Sequence, residues 1–221
     1  VLHNLAVRAD GSVCGWGWQY GPIPVAGISD VQMAAGSGFR NVAVKLDGTV
    51  WEWGASDAVP TPVSGLSDVV AVATFWHSLA LKRDGTVWGW GSNYSGELGD
   101  GTTTERATPV QVAGLSDAVA IDTRYGDEWS VSPHNIALKQ DGTVWEWPIW
   151  QFDSYISAKS LVPVQVAGLT DIVAVAEGGG HSLALKRDGT VWAWGSNDVG
   201  QSGVRTFAIR TAPVQVVAPA P

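Results

Sequence analysis

One cysteine, Cys14, stands in a chain of 221 residues, and that scarcity excludes an internal disulfide and a thiolate metal cluster. Cys14 occupies an apolar slot of a repeat, so burial is its expected role. Basic residues are short as well: 13 Lys and Arg face 21 Asp and Glu, a formal charge of −8 with a pI near 4.8. A nucleic-acid surface needs clustered cations to replace released counterions, so no nucleic-acid partner is expected. No apolar run reaches the length of a membrane span and no signal peptide is visible, so no membrane span is expected. Nowhere do apolar residues keep a helical period across a window bounded by capping signals, which leaves the helical classes without support. The phosphate-cradling Gly-x-x-x-x-Gly-Lys-Ser/Thr loop, the Gly-x-Ser-x-Gly elbow and the His-Glu-x-x-His pattern are all missing. Their absence lowers the expectation of an enzyme, and no cofactor is expected.

In excess are glycine and tryptophan, 27 and 13 residues. The stretch His77-Ser-Leu-Ala-Leu-Lys-Arg-Asp-Gly-Thr-Val-Trp-Gly-Trp-Gly91 reads as one β-hairpin. Asp84-Gly85 between two alternating apolar runs predicts a two-residue type I′ turn. With Arg83 opposite Thr86, the cross-strand pairs are Leu81 with Trp88, Ala80 with Gly89 and Leu79 with Trp90, which puts the bulk on one face and leaves the other nearly bare. Such a sheet is suited to stacking, bulky face on bare face, against copies of itself. Four copies exist: Asn4 to Gly17, Asn41 to Gly54, Asn135 to Pro148 and Ser182 to Gly195. Successive Asp-Gly turns lie 37, 37, 57 and 47 residues apart, and the variation falls between hairpins, so insertions collect on loops.

Two further elements recur between the hairpins. One is a Pro-Val segment, as in Pro109-Val-Gln-Val112, where proline favours a strand start or an exposed edge. The other follows a Gly-Leu/Ile-Ser/Thr-Asp turn: Val31 to Ala35, Val69 to Ala73, Ala118 to Asp122 and Ile172 to Ala176. Short strands separated by turn residues and repeated in four-strand units predict an all-β fold, a β-propeller. The expected organisation is a single domain over 1–221 with five repeat units, approximately 1–30, 31–68, 69–117, 118–171 and 172–221, and one incomplete blade. Either the two chain ends share that blade, or the chain belongs to a longer propeller whose missing strand lies before Val1.

His181-Ser-Leu-Ala-Leu-Lys-Arg-Asp-Gly-Thr-Val-Trp-Ala-Trp-Gly-Ser-Asn197, and Gly91-Ser-Asn-Tyr-Ser-Gly-Glu-Leu-Gly-Asp-Gly-Thr102 followed by Thr108-Pro-Val-Gln-Val112, closely resemble the regulator of chromosome condensation repeat family in its bacterial-type form. The resemblance implies a β-propeller, commonly of seven blades. The family includes nucleotide-exchange factors, a plant ultraviolet-B photoreceptor, bacterial β-lactamase inhibitors and many further bacterial proteins. The location of this chain is left open, with a lean toward a secreted or cell-surface bacterial protein. The chain departs from the family pattern by carrying five repeats and by losing the Gly-x-Leu-Gly-Asp-Gly segment in the first two. After Trp147 that segment is replaced by Pro148-Ile-Trp-Gln-Phe-Asp-Ser-Tyr155. The photoreceptor's Gly-Trp-Arg-His-Thr motif is absent, so the tryptophans read as packing.

All four histidines, His3, His77, His134 and His181, fall just before the first hairpin strand, with Arg40 in the fifth copy. A ring of imidazoles is a weak metal candidate, because ligands must converge on one ion; the favoured expectation is that each anchors a strand start by bonding to backbone. Glu52 and Glu146 occupy a slot held elsewhere by Gly15, Gly89 and Ala193. They are candidates for acid–base catalysis, although carboxylates accepting indole or backbone hydrogen bonds are the expectation preferred.

Nine tryptophans follow the repeat and are expected in the core. Trp18, Trp76, Trp129 and Trp150 stand outside it. Trp76 follows Phe75 on a loop where other copies have small residues, and Trp129 ends the insertion Tyr125-Gly-Asp127-Glu128-Trp129. Aromatics on loops held by a rigid scaffold are typical binding anchors. The expected function is a non-enzymatic interaction propeller whose loop face, with Phe75, Trp76, Tyr125, Asp127, Glu128, Trp129, Trp150 and Trp18, meets a protein partner. The alternatives are a small-molecule or carbohydrate ligand stacked on those aromatics, and an enzyme using the histidines or Glu52 and Glu146.

Overall fold

The computed structural model describes residues 3–17, 20–37, 40–54, 59–125, 133–150, 158–178, 180–204 and 209–216. All regular structure among them is β. The first sheet has three antiparallel strands, His3–Val7, Val13–Gly17 and Tyr20–Pro24. Four sheets of four strands follow, each in the order inner, second, third, outer. They are Val31–Gly36, Arg40–Lys45, Val50–Gly54 and Thr61–Pro62; then Val69–Thr74, His77–Lys82, Val87–Gly91 and Arg106–Gln111. The fourth sheet holds Ala118–Tyr125, Pro133–Lys139, Val144–Trp147 and Val164–Gln165, and the fifth Ile172–Glu177, His181–Lys186, Val191–Gly195 and Arg210–Gln215. A small hairpin, Ile149–Trp150 with Ala158–Ser160, fills the insertion after the third strand of the fourth sheet.

The inner strands of the second to fifth sheets lie side by side around a common axis. This is a β-propeller of five blade-like sheets, one of them incomplete. Among the described residues the incomplete sheet is the first, which shows no inner strand, and its three strands all come from the start of the chain. Sheets one to five pack in sequence, and no packing of comparable extent joins the first to the fifth among the described residues.

The hairpins correct the expected register. Leu81 pairs with Val87, Ala80 with Trp88, Leu79 with Gly89 and Ser78 with Trp90. The turn holds three residues, Arg83, Asp84 and Gly85, closed by the Lys82 N–H on the Thr86 carbonyl at 2.9 Å, and only Gly85 has positive φ, 80°. Asp84 stabilises this longer turn by accepting the Thr86 N–H at 2.9 Å and hydroxyl at 2.7 Å. Moving the register by one residue changes which side chains share a face. Leu79, Leu81 and Val87 therefore look toward the fourth sheet and surround its Trp147, while Ala80 and Trp90 look back onto Val42, Val44 and Val50 of the second. Each junction joins a Trp face to a Leu/Val face, in place of a bulky face on a bare one.

The two tryptophans of a hairpin differ. The second of each pair, Trp53, Trp90, Trp147 and Trp194, is buried in a junction. The first, Trp51, Trp88, Trp145 and Trp192, is half-buried and donates its indole N–H to a threonine hydroxyl two residues earlier, at 3.1 to 3.3 Å. Lys45, Lys82 and Lys139 cover three of these rings, with Nζ 5.4 to 5.9 Å from the ring centres.

At the hairpin end, adjacent sheets are joined through main chain. Asp30, Asp68, Asp117 and Asp171 sit before the inner strands with φ of 56° to 58°, a region that Asp tolerates better than most residues. The Asp117 carbonyl takes the Gln140 N–H of its own sheet at 2.8 Å, while the Ala118 N–H donates to the Gly85 carbonyl of the preceding sheet at 3.0 Å. Gly11, Gly48 and Gly142 accept in the same way from Val31, Val69 and Ile172. A Cβ on Gly85 would lie 2.8 Å from the Asp117 Cα, so the close approach requires glycine there.

Candidate interaction face and the junctions beneath it

The loops between inner and second strands emerge opposite the hairpin tips. At the third sheet this loop carries Phe75, half-buried, and Trp76, 44% exposed, with ring centres 6.2 Å apart and planes at 74°. The Ser37 hydroxyl, on the matching loop of the second sheet, donates to the Phe75 carbonyl at 2.8 Å, and the Phe75 N–H donates to the His77 carbonyl at 2.8 Å. Trp76 is thus an exposed aromatic on a backbone tied at two points.

The matching loop of the fourth sheet begins where Tyr125 pairs with Pro133. Asp127, Glu128 and Trp129 lie outside the described residues, as do Trp18 and the side chains of Tyr125, Trp150 and His3. The backbone of Trp150 belongs to the inserted hairpin and pairs with Ala158.

Below this face, each buried indole whose acceptor is described reaches back to the preceding sheet. Trp90 donates to Glu52 Oε2 at 2.8 Å, and Trp194 donates to Glu146 Oε2 at 2.8 Å. Trp147 donates instead to the Glu97 carbonyl at 3.0 Å, on the loop after the third strand of the third sheet. That loop is organised by Asn93, whose side chain takes the Leu98 N–H at 2.9 Å and donates to the Thr102 and Thr104 carbonyls at 3.1 and 3.0 Å. Leu98 lands over Gly89, where a Cβ would be 3.2 Å from its Cδ2. In the second and fourth sheets, which lack this loop, a glutamate fills the Gly89 position and supplies the acceptor, whereas the first sheet, which lacks it too, keeps Gly15 there. Glu52 and Glu146 therefore lie in different junctions, each holding an indole, and do not form a catalytic pair.

The three histidines whose side chains are described do not converge on a metal site either. His77 is wholly buried, its Nε2 2.6 Å from Asn135 Oδ1 and 3.1 Å from Thr123 Oγ1 of the fourth sheet. Burial depresses its pKa to about 4, against the opposing hydrogen bond to Asn135. His134 lies between Glu146, at 3.3 Å, and Glu177 of the fifth sheet, at 3.7 Å. His181 is half-buried, and burial lowers its pKa, with a smaller push from Arg124. Among the described residues no three His, Cys, Asp or Glu side chains gather as a metal site. The expected backbone anchoring is replaced by side-chain partners: His77 and His134 bind across junctions. Arg40, the non-histidine copy, pairs with Glu52 at 3.2 Å.

Asn135, Thr123 and Glu177 had no prominence in the sequence. Their signal was positional: Asn41, Ser78, Asn135 and Ser182 share a slot, as do Thr74 and Glu177. Which sheet each would face depends on register.

Family models for the regulator of chromosome condensation (RCC1) repeat match residues 70–97, 84–132 and 172–201. The chain superposes over 98% of its length on Prp20p from Saccharomyces cerevisiae, with a TM-score of 0.77 and 19% identity, covering 61% of that protein. Residues 70–132 and 172–201 thus carry RCC1-like repeats, within a β-propeller. Human WBSCR16 matches over 98% of the chain and 65% of its own length, at 18% identity and a TM-score of 0.78. Yeast RCC1 (Prp20), in a structure with Kap60, matches over 98% and 59%, at 18% identity and 0.77. The chain thus spans about three-fifths of the solved structures it matches. No curated protein sequence matches it. Among the described residues no helix is long and apolar enough to cross a membrane.

Proposed function

We propose that this propeller is a non-enzymatic binding module that presents the loop end around Phe75, Trp76 and the 126–132 loop to a protein partner. The observation that carries the reading is Trp76, exposed beside Phe75 on a loop tied to the second sheet by Ser37. A large aromatic held on a rigid scaffold binds without a heavy ordering cost. The fold is in keeping with this use: the structural study of Prp20p concerns its binding to Gsp1p and histones, and yeast RCC1 is seen bound to Kap60. The reading extends to Tyr125, Asp127, Glu128 and Trp129 of the fourth-sheet insertion, whose residue types suit an aromatic anchor with an acidic rim.

Trp76→Ala and Trp129→Ala test the reading in the purified propeller, by titration with the partner identified from the native source. Each is expected to weaken binding by more than about 2 kcal/mol while leaving the melting midpoint unchanged. Unchanged affinity in both variants, or loss of folding in both, would assign these residues to packing and end the proposal.

A further inference from the structure

We propose that the junction between the fourth and fifth sheets is a pH-sensitive fastening, firm on the acid side of neutral and loosened by alkali, whereas the equivalent junction between the second and third sheets does not respond over that range. The two junctions share one plan. In each, a third-strand glutamate takes the indole N–H of the next sheet's buried tryptophan at 2.8 Å, from Trp90 on Glu52 and from Trp194 on Glu146. In each, a residue at the start of the second strand sets a cation on the same Oε2, Arg40 at 3.2 Å and His134 Nε2 at 3.3 Å.

Two substitutions separate them. A guanidinium keeps its proton at any pH a protein survives, whereas an imidazole does not. At the end of the following inner strand, Thr74 faces Ser78 with their hydroxyls 3.0 Å apart. The matching position of the fifth sheet is Glu177, whose side chain is 0% exposed; its Oε1 takes the Ser182 hydroxyl at 2.8 Å and its Oε2 lies 3.7 Å from His134 Nδ1. The inner strand of the fourth sheet adds a third carboxylate, Asp122, whose Oδ2 accepts the Glu177 N–H at 2.9 Å. Arg124, on that same strand, acts on His181 of the fifth sheet. His134 is therefore the cation set between Glu146 and Glu177, with Asp122 behind them.

Burial works against the charged His134 ring, but Glu177 first and Glu146 second hold its pKa up at about 9. Burial lifts Glu177 to about 7 against the pull of His134. Glu146 is lowered, the cost of burial being outweighed by His134 and Trp194. His134 and Glu177 both hold a proton more tightly folded than unfolded. Their stabilising contributions are complete below the unfolded values and are lost as pH rises through about 7 and then about 9. Glu146 acts oppositely, and its contribution goes only as pH falls through its lowered value. Alkali thus leaves three carboxylates around a neutral ring in a site largely closed to water, and their repulsion pushes the two sheets apart.

Trp194 and Trp90 report the two junctions separately. Their indole N–H exchange rates, followed by NMR between about pH 6 and 9 and corrected for intrinsic exchange, are expected to diverge, with Trp194 losing roughly tenfold or more in protection relative to Trp90. The double variant His134→Arg with Glu177→Thr copies Arg40 and Thr74 and should hold the ratio constant. Glu177→Gln, nearly isosteric, provides the same test if the double variant does not fold: the loss near neutral should vanish and only the His134 step remain. A constant ratio in the native chain, or a divergence unchanged in the substituted chains, would overturn the proposal.

Discussion

Trp90 and Glu52 stand 38 positions apart in the chain and meet at 2.8 Å across the boundary of two sheets. The carboxylate is the acceptor that lets a 1% exposed indole sit in the junction, and Arg40 shares it. Glu52→Ala leaves the indole N–H without that partner and is expected to cost about 1–3 kcal/mol in urea unfolding. Glu52→Gln keeps an acceptor and should cost less. Equal losses from the two variants would show that the hydrogen bond is not what holds the indole.

The two tryptophans of the third hairpin should separate in the same measurement. Trp90→Ala removes a fully buried ring and is expected to destabilise by about 3–5 kcal/mol. Trp88 is half-buried, under Lys82, so Trp88→Ala should cost clearly less. The reverse order would contradict the register.

Glycine substitutions at hairpin tips probe the main-chain joint. Gly85 and Gly189 both have positive φ, 80° and 87°, so alanine carries a similar conformational penalty at each, about 1–2 kcal/mol. Only at Gly85 does the new Cβ strike the next sheet, 2.8 Å from the Asp117 Cα, whereas at Gly189 it meets nothing within 4 Å. Gly85→Ala is therefore expected to lower the melting midpoint more than Gly189→Ala. Equal effects would show that the close approach carries no energy.

His77 predicts an acid limb. Its pKa falls from 6.5 unfolded to about 4 folded, so its contribution is present above the unfolded value and is lost as pH falls through the folded one. The loss approaches about 3 kcal/mol. His77→Gln should flatten that limb in denaturation curves taken at several pH values, and an unaltered slope would remove His77 from the account.

Much of the fold was legible in the repeats: five hairpins, four Val-Ala-Val strands and five Pro-Val segments map onto sheets that, among the described residues, show four inner strands. The register was not, because Asp-Gly suits both a two-residue turn and the three-residue turn that forms, and the choice rests on how Asp84 bonds Thr86. That single residue decides whether Leu79 shares a face with Trp90 or opposes Gly89. Glu52 and Glu146 stood out in the sequence for breaking a small-residue slot. Their partners did not, since Trp90 and Trp194 become partners only once the order and facing of sheets are known.

The joint from Gly11, Gly48, Gly85 and Gly142 to the residue after the next aspartate runs in one sense only: a carbonyl on the earlier sheet, an N–H on the later. The array consequently has a polarity, and a unit can be duplicated or exchanged within it only head to tail. The joint also occupies one end of the sheets, while the 93–105 loop and the points where the chain leaves Tyr125 and Trp147 lie at the other. Diversification is thereby separated from assembly: the loop end can change in length and chemistry while the hairpin end continues to specify which sheet follows which.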